Sequence, residues 1–218
     1  MTHDPVQATI ATYNRIAADY AARWQNRTVL AAEAGAFAAL AGPNGRVLDV
    51  GCGAGFDTAV LGQHGLHAVG VDLSWGMMQA GRQRGMGTDS QGVDFVQADM
   101  RALPFAAGWD GIWACASLLH VPRPQVPAVL SRFAALLRPD GVLYLSVKLG
   151  DDEAWTADKY GRQHARFFTY WRPETLDPLL ADAGFQIVSG DVQQGKHDIW
   201  LSRLAQKTPD SQQATMNT

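Results

Sequence analysis

Asp49-Val-Gly51-Cys-Gly53-Ala-Gly55 sets a carboxylate and three alternate glycines at the end of an apolar run that begins at Val47. Glycine lets a chain turn sharply and pass close to a ligand. A carboxylate in such a turn balances a cation; it suits a pyrophosphate poorly, because like charges repel. Two further acids close apolar runs, in Ala68-Val-Gly-Val-Asp72 and in Phe95-Val-Gln-Ala-Asp99. Each can accept several hydrogen bonds from hydroxyl or amino groups. His120 follows a fourth apolar run, and an imidazole there can take a proton from an O–H, S–H or amine near neutral pH. Its other reading is a loop histidine bonded to backbone. Arg162 and Arg166 lie with Tyr170 in an aromatic stretch and can pair with an anionic substrate group. The histidines show no zinc-ligand spacing with cysteine or histidine.

The glycine spacing separates two nucleotide chemistries. The dinucleotide fingerprint G-x-G-x-x-G carries its third glycine five positions after the first. Here Phe56 holds that position and Gly55 comes one earlier. The order acid-x-G-x-G-x-G resembles the first motif of the class I S-adenosylmethionine-dependent methyltransferases and matches it better than the dinucleotide fingerprint; the chain as a whole resembles the small-molecule type of that family. Later segments are similar to the same family in the expected order: the runs ending in Asp72 and Asp99, then Trp109 to Val121, then Leu137 to Val147. The resemblance runs from about Tyr13 to Leu204.

The resemblance implies S-adenosyl-L-methionine as cofactor and S-adenosyl-L-homocysteine as product. It implies that Asp49, Gly51, Gly53 and Gly55 cradle the cofactor and that Asp72 and Leu73 meet the ribose. Asp99 is then expected at the adenine amino group, with the backbone of Met100 beside the ring. Ala116 and Ser117 are expected to meet the methionine end through backbone. Tyr13-Asn-Arg-Ile-Ala-Ala-Asp-Tyr20 resembles a helix that closes the pocket in many small-molecule members; the alternative is a helix that packs its stripe on the sheet. By the same resemblance His120 sits near the reacting centre, and Arg162, Arg166 and Tyr170 belong to a substrate element. Cys115 lies near the nucleophile position of cytosine-C5 methylases but lacks their preceding proline, so it reads as packing.

These residues need a frame. Apolar positions Ile10, Tyr13, Ala17, Tyr20 and Trp24 fall three or four apart and predict one face of a helix over 5–24. Residues 28–40 read as a second helix, stopped by Gly42-Pro43. Strands are expected at 46–50, 67–71, 93–97, 109–115 and 141–148, with helices near 54–64, 75–84 and 124–137. Residues 149–172 show no clean period, and a loop this long is usually functional; it reads as a lid that sets acceptor choice. A helix over 173–183, a strand from Phe185 and a last strand over 197–204 follow. Gly190 to His197 spells most of a phosphate loop but lacks its final Ser/Thr, so it reads as a hairpin. The fold class expected is α/β, a doubly wound Rossmann-like seven-stranded sheet. By resemblance its order is 3-2-1-4-5-7-6 with strand 7 antiparallel. One domain covers 1–206, with an N-terminal helical cap over 1–42 and the lid over 149–172; the tail 207–218 reads as disordered.

At 218 residues, 47% hydrophobic and 18% charged, the chain can bury a core of its own. A net charge of −3 gives no basic surplus for a polyanion, so no nucleic-acid partner is expected. No apolar run approaches the ~20 residues that span a bilayer, and no basic-then-apolar leader opens the sequence. A cytoplasmic location, no membrane partner, no metal and a small-molecule acceptor are therefore the expectations. Cys52 and Cys115 read as reduced packing residues. Methyl transfer to RNA or protein, or cofactor binding without turnover on the same fold, remain the alternatives. The acceptor atom and the oligomeric state stay open.

Overall fold

The computed structural model describes residues 4–24, 30–85, 93–157 and 161–209. Helix α1 (Pro5–Trp24) and helix α2 (Ala31–Ala41) precede strand β1 (Arg46–Val50). Then α3 (Phe56–Gln63), β2 (His67–Asp72), α4 (Trp75–Arg82), β3 (Asp94–Gln97) and β4 (Trp109–Cys115) alternate. They are followed by α5 (Val126–Leu136), β5 (Leu137–Lys148), the short strands β6 (Glu153–Thr156) and β7 (Arg166–Thr169), α6 (Pro173–Asp182), β8 (Phe185–Gln194) and β9 (Ile199–Lys207).

Within the described residues a seven-stranded sheet runs β3-β2-β1-β4-β5-β9-β8. The pairs from β3 to β5 are parallel, and β9 is antiparallel to both β5 and β8. With β6 and β7 set aside as a separate two-stranded sheet, this is the order and direction expected. Both faces of the central strands are covered, which is why residues 142–147 of β5 read as a nearly unbroken apolar run. On one face Val47, Trp113 and Tyr144 pack under Phe37 of α2 and Leu61 of α3. The Trp113 and Tyr144 rings stack at 3.9 Å. On the other face Leu48, Ile112 and Leu143 pack with residues of α5 and α6 such as Leu130, Phe133 and Leu176.

Three expectations differ from the fold. Residues 149–172 are not an aperiodic loop: β6 and β7 pair antiparallel from Glu153↔Thr169 to Thr156↔Arg166. Arg123 staples this hairpin, donating from its guanidinium to the carbonyls of Asp151 and Tyr170 and lying 4.2 Å over the Trp171 ring. The hairpin is short and both β7 faces are buried, so period-2 alternation never shows. The last strand runs on through Lys207, whose ammonium donates to the Leu137 carbonyl; residues 210–218 of the expected tail lie outside the described residues. The Gly190–His197 segment is a hairpin as expected, but β8 continues as far as Gln194. Among the described residues no helix is long and apolar enough to cross a membrane.

Candidate active site

The turn after β1 is built by close contacts. Gly51, Gly53 and Gly55 all take positive φ. A Cβ on Gly51 would lie 2.2 Å from the Ser117 Cβ, and one on Gly55 would lie 2.6 Å from the Phe95 ring. Only glycine passes there. Gly51 and Cys52 both donate to the Val71 carbonyl, tying the turn to β2. Asp49 is buried and accepts the Thr58 hydroxyl at 2.6 Å.

Asp72 ends β2 and organises its surroundings. Its carboxylate accepts the Gly53 N–H at 2.7 Å on one oxygen and the Ser74 N–H at 2.7 Å on the other. Burial pushes its pKa above the ordinary carboxylate value, against the pull of these backbone donors. Each oxygen keeps a second lone pair for a ligand hydroxyl. Asp99, after β3, is held by Arg101 through both carboxylate oxygens, and Arg101 reaches on to Asp4 at the foot of α1. Ala116, after β4, takes φ 50°, a left-handed conformation that costs a non-glycine residue about 1 kcal/mol or more. Ser117 donates its hydroxyl to the Val50 carbonyl at 2.6 Å.

These ends converge on one cleft. Of the residues expected to hold a cofactor, Asp49, Gly51, Gly53, Asp72, Leu73, Asp99, Met100, Ala116, Ser117, Tyr13 and Tyr20 line it. Gly55 does not; its place is against Phe95, as the first residue before α3. His120 lines the cleft as well. Its Nδ1 is 2.6 Å from the Phe167 carbonyl and its Nε2 is 2.9 Å from the Tyr13 hydroxyl. Burial first, and the nearby Arg166 and Lys148 cations, bring its pKa down to about 3.

The expected substrate residues lie elsewhere. Arg166 does not line the cleft: it is buried on β7 and donates to the Tyr13 hydroxyl at 3.0 Å. Tyr170 also lies off the cleft, with its hydroxyl 3.4 Å from that of Thr156. The side chain of Arg162 is outside what is described. Sequence reasoning missed Val6, Ile10, Phe56, Asp57 and Val121, which also line the cleft. The i, i+4, i+7 spacing of Val6, Ile10 and Tyr13 on α1 was the available signal. Burial keeps the Cys52 thiol well above its ordinary pKa, so it lines the cleft as a neutral group.

A family model described as a methyltransferase domain matches residues 47–141. The ubiquinone biosynthesis O-methyltransferase of Xylella fastidiosa (strain 9a5c) is 30% identical over 170 residues, covering 72% of this chain and 67% of that protein. The protein of the same name from Escherichia coli O9:H4 (strain HS) is 29% identical over 121 residues, 55% of this chain and 49% of that one, so the chain spans about half the length of that relative. Among solved structures, the 1,6-didemethyltoxoflavin-N1-methyltransferase of Burkholderia thailandensis, with bound 1,6-didemethyltoxoflavin and S-adenosylhomocysteine, superimposes with a TM-score of 0.73 at 26% identity, covering 93% of this chain and 89% of that one. Kinship over most of both sequences, together with the structural superposition, makes this chain a member of the class I S-adenosylmethionine-dependent methyltransferase family.

Proposed function

We propose that the protein transfers a methyl group from S-adenosylmethionine to a small, uncharged or cationic acceptor. The observation that carries this reading is the lining of one cleft by the glycine turn and by the acids that end the first three strands. The donor set fits the cofactor. Asp72 offers carboxylate lone pairs to a diol while it holds the Gly53 and Ser74 amides in place. Asp99 and the backbone at Met100 line the same cleft and would offer an adenine edge an acceptor and a flanking wall. Asp49, Gly51 and the strained backbone at Ala116 border the other end.

When bound, S-adenosylmethionine supplies an electrophilic methyl carbon on a sulfonium. The protein's share is alignment, which can contribute several orders of magnitude without a strong base. Tyr13, Tyr20 and Trp24 bring aromatic faces to the cleft, and such faces stabilise a cation and exclude water. The lining carries the four carboxylates Asp49, Asp57, Asp72 and Asp99 and, among the described residues, no lysine or arginine. That balance disfavours an anionic acceptor. The names of the relatives, a quinone-pathway O-methyltransferase and an N1-methyltransferase of a heterocycle, support a small acceptor with a nucleophilic oxygen or nitrogen.

Calorimetry with S-adenosylmethionine, S-adenosylhomocysteine and NAD is the direct test. Micromolar binding of the first two and none of NAD is expected. Release of S-adenosylhomocysteine on adding a neutral metabolite fraction then separates an enzyme from a mere binder. Tighter binding of NAD would sink the reading.

A further inference from the structure

His120 sits beside the cleft where a base would be useful, yet both of its ring nitrogens are engaged by the protein itself. The Phe167 carbonyl has no proton, so the 2.6 Å contact makes Nδ1 the N–H donor. A ring held neutral then has a bare Nε2, and the Tyr13 hydroxyl, 2.9 Å away, must donate to it. Arg166 completes the chain by donating to the Tyr13 oxygen at 3.0 Å. The Tyr13 and His120 rings meet edge to face at 5.3 Å.

The chain joins three separate elements: α1 through Tyr13, the loop after β4 through His120, and β7 through Arg166 and Phe167. Nearby, α1 is tied to the same hairpin twice more. The Phe167 N–H donates to the Thr9 hydroxyl, and the Thr12 hydroxyl donates to the Ala165 carbonyl. On its other side Asn14 accepts the Ser74 hydroxyl and the Gly76 N–H, directly after Asp72.

We propose that His120 and Arg166 are positioning residues, a latch that fixes Tyr13 and thereby seats α1 over the cofactor cleft, and that His120 does not take the acceptor's proton. This rests on the cleft being the cofactor site. It replaces the base role that its place in the sequence suggests. The cations facing the ring, Arg166 from β7 and Lys148 from β5, oppose imidazolium formation, while Tyr13 from α1 supplies only a neutral donor.

The test uses the full chain and S-adenosylhomocysteine as probe. Its dissociation rate is measured by stopped flow for the wild type, Tyr13→Phe, His120→Ala and His120→Gln. Losing one such hydrogen bond should speed release by about tenfold in Tyr13→Phe and His120→Ala. The double variant Tyr13→Phe/His120→Ala should be faster by clearly less than the product of the two single effects, because both singles already remove the Tyr13–His120 bond. His120→Gln is the decisive arm. Its amide oxygen can accept from Tyr13 but cannot carry a proton away, so it should release the probe within about threefold of the wild-type rate and retain methyl transfer at saturating cofactor. A His120→Gln protein that binds the probe like the wild type but loses methyl transfer would restore the base role. Unchanged release in folded Tyr13→Phe would also overturn the latch. Failure of the wild type to bind the probe at all would instead overturn the cofactor reading.

Discussion

Asp72 shows how one carboxylate serves both ligand and fold. From the sequence it is a ribose contact at the end of a strand. In the structure it also accepts from the backbone amides of Gly53 and Ser74. Removing the carboxylate leaves those donors without it, at a cost of about 1–3 kcal/mol. Asp72→Ala should therefore weaken cofactor binding by roughly 1.5–3 kcal/mol, the range for hydrogen bonds to charged groups, and lower stability as well. Calorimetry paired with urea unfolding separates the two effects. Weakened binding with unchanged stability would mean the glycine turn holds its shape without Asp72. Gly51 and Ala116 make the related point about backbone. The first needs glycine because Ser117 stands against it, while the second bears a Cβ in a left-handed conformation beside the cleft.

At the level of elements, the sheet was legible because its strands carry short apolar runs, and β1, β2 and β3 are each followed by or end in an acid or a glycine turn. Burial on both faces makes such runs continuous, and the intervening helices fix parallel order. The same physics explains what was not legible. The hairpin β6–β7 pairs only Glu153–Thr156 with Arg166–Thr169, and it packs on α1, on the loop after β4 and, through the Phe168 ring, against Lys148 of β5. Its residues answer to partners distant in sequence, so no local period marks them. Arg166 is the clearest case: an arginine among aromatics suggests a substrate anion, but its side chain is buried and donates to a tyrosine hydroxyl 153 residues away. The hairpin therefore supports the cofactor-covering helix as well as any acceptor. Replacing residues 153–169 with a short Gly-Ser linker should lower S-adenosylhomocysteine affinity by about tenfold or more, since Thr9, Thr12 and Tyr13 lose partners together. Calorimetry on a variant shown to be folded decides this. Affinity within a few fold of wild type would return residues 149–172 to a role in acceptor choice alone.

Across the whole molecule, the cleft is closed by contacts that join the first helix to the ends of β2, β3 and β4 and to the hairpin, so closure and folding share residues. His120 makes that sharing measurable as a pH dependence of stability. Its pKa is near 6.5 in an unfolded chain and about 3 in the fold, lowered by burial and by Arg166 and Lys148. Between those values the unfolded chain binds the proton and the folded protein does not. Stability must therefore rise with pH through that window and fall as pH drops from about 6.5 toward 3. Asp4 and Asp110 also lose stabilising interactions in acid, but their pKa values are lowered from 3.8, so their contribution falls away below that value. Asp72 acts in the opposite direction, since a carboxyl whose pKa burial has raised is favoured in its protonated form as pH falls. A comparison of wild type with His120→Gln from pH 4.5 to 6.5 isolates the histidine. The wild type should lose on the order of 1–3 kcal/mol over that interval relative to the variant, because each pH unit below the unfolded pKa costs about 1.4 kcal/mol. The variant's own offset at neutral pH is immaterial; the slope is what reports the ring. Parallel stability curves for the two proteins in urea titrations across that range would show that His120 charges freely in the fold, and that Tyr13 is held by something other than a neutral imidazole.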